Sequence, residues 1–186
     1  MRRLVLVPLL GLAALASACG GPGSANSGNE TAADALNRGL AAHTAGKLDE
    51  AVAAYFTTLS KDPTNKFAFY NLGEIAQRQN RLAAAESFYR LALDQDPKME
   101  VALFNLAILR TSLGATADAV ALYRQVIAVD PNYAAAHFNL GLLLRQLGQT
   151  AEAQTELATA QKLDPTLVAP NPTASPIRQA SPSPKP

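Results

Sequence analysis

Residues 138–141 read FNLG, and the same phrase stands at FNLA (104–107), YNLG (70–73) and, more faintly, LNRG (36–39). The four asparagines, Asn37, Asn71, Asn105 and Asn139, lie 34 residues apart. An amide set in so apolar a run needs a partner, because a buried amide left unpaired costs roughly 1–3 kcal/mol. A second marker keeps the same step: Asp-Pro occurs at 62–63, 96–97, 130–131 and 164–165. Self-similarity at one fixed period without a slip means stacked copies of a single supersecondary unit.

Outward from the asparagines, the other shared letters fall where helices must stop or touch. Gly46, Asn80, Gly114 and Gly148 follow the first apolar run of each copy. A helix often ends through one residue in the left-handed region, where glycine fits best and asparagine next. Thr116 and Thr150 then read as N-caps of second helices, and the prolines stop those helices. Gly39, Gly73, Ala107 and Gly141 allow two helices to approach, with Ala51, Ala85, Ala119 and Ala153 expected to face them. Tyr55, Tyr89, Tyr123 and Leu157 are expected to fill the space between copies.

Over Ala32 to Leu167 these marks resemble the tetratricopeptide repeat. The resemblance implies an all-α fold: a right-handed superhelical α-solenoid of four helix-turn-helix repeats at 32–65, 66–99, 100–133 and 134–167. The final helix, 150–163, carries few large apolar residues and is expected to cap the stack itself, since a terminal repeat needs a polar outer face.

With each repeat numbered from its first residue, positions 4, 7, 8 and 11 share one side of the first helix. Positions 2, 5, 6, 9, 12 and 13 share the opposite side. In the family that second side lines a concave groove. It would present Asn37, Phe67, Tyr70, Asn71, Arg78, Phe104, Asn105, Ile108, Phe138, Asn139, Leu142 and Arg145. Two readings of the asparagines stand open: they pair with the backbone of an extended peptide, or they bond an adjacent helix. The family's clamp for a C-terminal carboxylate is not matched, because Leu36, Leu40, Phe104 and Ile108 stand at positions 5 and 9.

The ends differ in kind. Residues 1–18, MRRLVLVPLLGLAALASA, have the layout of an export signal: positive start, apolar stretch, small-residue end. The uncharged run from Leu4 to Ala18 is 15 residues, short of the ~20 that span a bilayer. Cys19, the one cysteine, follows Ala16-Ser17-Ala18 in a pattern that resembles a bacterial lipobox. That resemblance implies a lipidated Cys19 and a chain anchored at the extracytoplasmic or periplasmic face of a bacterial membrane, the outer membrane included. Residues 19–31 read as lipidated cysteine and flexible tether, and 168–186 as a disordered Pro/Ser-rich tail.

Without Arg2 and Arg3 the chain has 14 basic and 15 acidic residues, so no charge-driven nucleic-acid partner is implied. No metal-ligand spacing or phosphate-cradling loop is found, so neither metal nor cofactor is expected. His137, at a core position, reads as structural, and His43 has no acid partner in sequence. Glu152 and Glu156 read as an ordinary solvated pair. The expectation is a non-catalytic scaffold that binds a protein or peptide. Alternatives are a self-assembling module, hence a homo-oligomer, or an accessory subunit of a cell-envelope enzyme or of a secretion or pilus complex.

Overall fold

In a computed structural model, which describes residues 30–169, the helices begin where the 34-residue register places them. The described residues form α1 (Ala32–Thr44), α2 (Leu48–Lys61), α3 (Lys66–Arg78), α4 (Leu82–Gln95), α5 (Glu100–Ser112), α6 (Thr116–Val129), α7 (Ala134–Gln146) and α8 (Thr150–Leu163). Consecutive helices pair as hairpins, and each hairpin packs on the next. The fold is the expected α-solenoid of four repeats. The export segment, Cys19, the tether and the tail beyond 169 lie outside the described residues.

The turn inside each hairpin is set by one residue in the left-handed region. Gly46, Gly114 and Gly148 have φ of 74°, 73° and 76°, and Asn80 takes the same place at 57°. After Gly46 the Lys47 N–H reaches back to the Ala42 carbonyl at 2.9 Å, closing the last turn. The threonine caps are not formed. Thr116 and Thr150 are already the first helical residues, behind Ala115 and Gln149, which give no side-chain cap. Their hydroxyls donate backwards, to the Gly114 and Gly148 carbonyls at 3.2 and 3.4 Å. The left-handed residue turns the chain so tightly that a single residue separates it from the new helix.

Between repeats the proline has a partner that its steric role does not reveal. The preceding aspartate folds over the turn. Asp62 Oδ1 accepts from Thr64 N at 3.1 Å, Asp96 from Lys98 N at 3.0 Å, Asp130 from Asn132 N at 3.0 Å and Asp164 from Thr166 N at 2.9 Å. Side-chain bonding to Asn65 and Thr64 holds the Asp62 carboxyl below its usual range, and the Lys66 contact does the same first for Asp96.

The close approach to the glycine is made by the tyrosine in the first two repeats, and by Leu157 with the Ala153 carbonyl in the fourth. A Cβ on Gly39 or Gly73 would lie 2.6 Å from Cε1 of Tyr55 or Tyr89, and one on Gly141 would lie 2.7 Å from Leu157 Cγ. These large residues therefore seat on the glycine of their own repeat. Ala51, Ala85, Ala119 and Ala153 are buried beside them. The tyrosine hydroxyls meet position 12 of the first helix. Tyr89 donates to Gln77 Oε1 at 2.7 Å, while Tyr55 and Tyr123 lie 3.5 Å from His43 Nδ1 and Thr111 Oγ1.

α8 ends the described array with Gln154, Thr155, Ala158, Gln161 and Lys162 exposed, the polar face a solenoid end requires. Glu156 is not an ordinary solvated residue. Its carboxylate meets His137 Nδ1 at 2.5 Å, while His137 Nε2 lies 3.1 Å from the Pro131 carbonyl. His137 is buried and ties α7 to α8 and to the turn, a structural role.

Candidate functional site, the concave face

The rows formed by α1, α3, α5 and α7 are the surface to which the sequence assigned binding. The structure closes half of it. Phe104 is fully buried, with its ring 5.0 Å from that of Tyr133 and 5.9 Å from that of Tyr123. Ile108 is buried, and Phe138 and Leu142 are buried in a cluster with Ala160 against Leu157, Leu167 and Ala169. The expectation that these four residues present an open surface is therefore corrected. The cause lies at the end of each repeat, at position 34. Tyr133 covers Phe104, Leu167 covers Phe138, and Met99 packs with Tyr70.

Position 34 of the first repeat breaks this rule. It is Asn65, a polar residue engaged elsewhere: its Oδ1 accepts from Ala68 N at 3.0 Å and caps α3. Leu36, at the position such a lid would cover, is half-buried against the first-repeat cluster, while Leu40, one turn on, is 41% exposed. On α3, Phe67 is 49% exposed, with Lys66 Nζ 5.2 Å from its ring centroid. Tyr70, Glu74 and Gln77 are half-buried and Arg78 is exposed. Residues 67, 70, 71, 74 and 78 follow three- and four-residue steps, so they share one helix face. The open part of the groove thus lies over α1 and α3.

The asparagines turn inward. Asn71, Asn105 and Asn139 are each 7% exposed. Asn71 Nδ2 donates to the Phe67 carbonyl at 2.7 Å, and Asn105 Nδ2 to the Tyr70 hydroxyl at 3.2 Å. Asn139 Nδ2 is buried without a hydrogen bond, although the Tyr123 hydroxyl is within its electrostatic reach. Only Asn105 bonds an adjacent first helix, α3; Asn71 bonds a carbonyl of its own helix. Asn37, with no repeat packed before it among the described residues, is exposed. Arg145 is half-buried.

Around Glu74 the open groove carries its charge. Burial pushes the Glu74 carboxyl above its usual range, opposed by Tyr70 hydrogen bonding and by electrostatic interaction with His43 and Arg78. Burial, with the Glu74 charge adding to it, likewise lifts the Tyr70 and Tyr89 hydroxyls well above the ordinary phenol range. Tyr55 is pushed up to about 12 by the same two causes. His43 is the residue whose setting the sequence did not reveal: Arg78, 35 positions on, brings Nη1 to 3.3 Å from its Nε2. Only the 34-residue step, which puts positions 12 and 13 of neighbouring first helices side by side, could have suggested it. Among the described residues no group of His, Cys, Asp and Glu could hold a metal ion, and no helix is long and apolar enough to cross a membrane.

Two family models, each described as tetratricopeptide repeat, match residues 36–100 and 110–169. No curated protein matches the sequence. Among solved structures, MamA is similar at 21% identity and a TM-score of 0.67, over 73% of this chain and 79% of MamA. A tetratricopeptide repeat protein from Parabacteroides merdae is 26% identical with a TM-score of 0.65, over 72% of this chain and 54% of its own. YrrB, described as a TPR protein with an unusual peptide-binding site, is 21% identical with a TM-score of 0.65, over 72% of this chain and 69% of YrrB.

Proposed function

From a chain built of tetratricopeptide repeats, we propose a non-catalytic scaffold that binds an extended segment of a partner protein over the concave face of α1 and α3. The observation that carries this reading is the exposed apolar pair Leu40 and Phe67, 41% and 49% exposed, beside half-buried polar groups that can pair with a peptide. Large apolar side chains next to convergent polar groups are what a recognition groove needs. The repeat fold itself supports protein binding, and the peptide-binding site named for YrrB is a parallel on the same fold. The three buried asparagines do not read the ligand in this proposal, and Asn105 ties α5 to α3.

We further propose that Cys19 carries the lipid that holds this scaffold at the outer side of a bacterial membrane. The lipobox-like Ala16-Ser17-Ala18-Cys19 supports it. One acyl chain anchors only marginally and two anchor stably, so Cys19→Ala should leave the membrane fraction. If that variant sediments with membranes as the wild type does, the anchor is wrong. The groove is tested by affinity capture from the protein's own membranes, followed by measurement with Phe67→Ala and Leu40→Ala. A large apolar anchor is worth ~2 kcal/mol or more. Unchanged affinity in both variants, with the helical content intact, would place the partner elsewhere.

A further inference from the structure

We infer that Arg78 is the docking point for a carboxylate of the bound segment, held in place by His43 and Tyr55. This rests on the reading of α1 and α3 as the open groove. Residues 30–169 carry 15 acidic and 12 basic side chains, an acidic body. On the concave positions of α1 and α3 that excess is absent, with Arg78 set against Glu74 alone. An exposed cation there is the local feature that favours an acidic ligand group.

A relay stands behind Arg78. A guanidinium has donors only, so the 3.3 Å contact makes Arg78 Nη1 the donor and His43 Nε2 the acceptor. The imidazole proton then sits on Nδ1, 3.5 Å from the Tyr55 hydroxyl. The Tyr55 ring meets the imidazole edge-on, with centroids 6.4 Å apart. Tyr55 is fully buried and seated on Gly39, so the far end of the relay is fixed in the core. The near end is an exposed guanidinium with one nitrogen engaged by His43 and a fork suited to a carboxylate. Long side chains pay rotamer entropy to meet a ligand, and a preset orientation reduces it. Glu74, one turn before Arg78, lies within electrostatic reach of both groups and competes for the same cation. His43 and Tyr55 are positioning residues here, and Arg78 makes the contact.

A carboxylate can come from an acidic side chain or from a chain end, and three probes separate the sources. They are acetyl-Ala-Glu-Ala-Glu-amide, acetyl-Ala-Gln-Ala-Gln-amide, and the latter with a free C-terminal carboxylate. Each is titrated into the full-length chain while the Arg78 Nε–H and groove backbone amides are followed by NMR. Either carboxylate probe, or both, should shift the Arg78 signal, and added salt should weaken it. Arg78→Gln should weaken the carboxylate probes roughly ten-fold, the scale of one charge-assisted contact, and leave the amidated glutamine probe unchanged. His43→Ala should weaken the carboxylate probes several-fold, while Glu74→Gln should tighten them. A purely structural Arg78, serving only as a cation at the end of α3, would show neither the probe dependence nor the Glu74→Gln gain. Equal loss on all three probes in Arg78→Gln, or no loss, overturns the inference. If all three probes shift Phe67 and Tyr70 but ignore Arg78, the inference fails and the groove stands. If none shifts any concave amide, both fail.

Discussion

Replacing Phe104 with tyrosine should make the protein more stable, although it adds a polar group to a fully buried site. Asn105 Nδ2 is satisfied by the Tyr70 hydroxyl at 3.2 Å. The residues 34 positions on are Phe104 and Asn139, and there the hydroxyl is missing and Nδ2 makes no well-formed hydrogen bond, with only the Tyr123 hydroxyl nearby. The ring settings agree: Tyr70 lies 6.1 Å from Tyr89, and Phe104 lies 5.9 Å from Tyr123. A new hydroxyl would relieve a donor whose isolation costs roughly 1–3 kcal/mol. Two terms work against it. One added oxygen in a close-packed site brings strain. The new hydroxyl's own proton also finds no acceptor, because Ile108 stands where Tyr70 has Glu74. The net gain is therefore placed at about 0.5–1 kcal/mol, a rise of roughly 1–4 °C in melting temperature for a chain of this size. The reverse change, Tyr70→Phe, should cost about 1 kcal/mol by removing the hydroxyl that Asn105 donates to, with the Tyr89 hydroxyl left nearby. Urea unfolding monitored by circular dichroism measures both. A Phe104→Tyr variant no more stable than wild type, with Tyr70→Phe neutral, would show that the hydroxyl–amide pair does not decide the energy.

Gly73→Ala should destabilise by about 1–3 kcal/mol, because its Cβ would lie 2.6 Å from the Tyr89 ring. Gly114→Ala meets nothing within 4 Å, so its smaller loss of about 1–2 kcal/mol comes from φ of 73° alone; thermal melts should rank the two. Glu156→Ala should cost about 1–3 kcal/mol by leaving the buried His137 without its carboxylate, measured by the same melts. Glu74 has a folded pKa raised above its unfolded value, so the folded state binds its proton more readily and its ionisation opposes folding as pH rises. Glu74→Gln should therefore raise the melting temperature at neutral pH, with the difference shrinking as pH falls from above the ordinary carboxylate range down through it. A constant difference across that window would refute the assignment.

The period, the helix starts and the left-handed turns were legible because each depends on residues adjacent in the chain. Asn80 shows how far this goes: geometry predicts which residue can replace glycine, and φ of 57° agrees. The openness of the groove was not legible. A helical wheel places Phe104 opposite the packing face, but it has no knowledge of Tyr133, which arrives 29 residues later and lies on the ring. The threonine caps failed for a related reason, since the tightness of the turn decides which residue is first in the helix. The Tyr55–His43–Arg78 relay spans two repeats, and its members carry no common motif. The inward turn of the asparagines could be posed as an alternative from sequence but not decided, because either partner suits an amide.

Asn65, Met99, Tyr133 and Leu167 hold one position in four turns, and the three apolar ones lie against the groove residue at position 5 of their own repeat. The Asp-Pro turn around them forms in every copy, its aspartate bonding the N–H two residues on. The same position also joins repeats: Asn65 caps α3 and bonds Asp62, Met99 is buried, and Tyr133 lies against the core. Groove surface and repeat junction are thus encoded by one letter, so a change there alters recognition and stacking together.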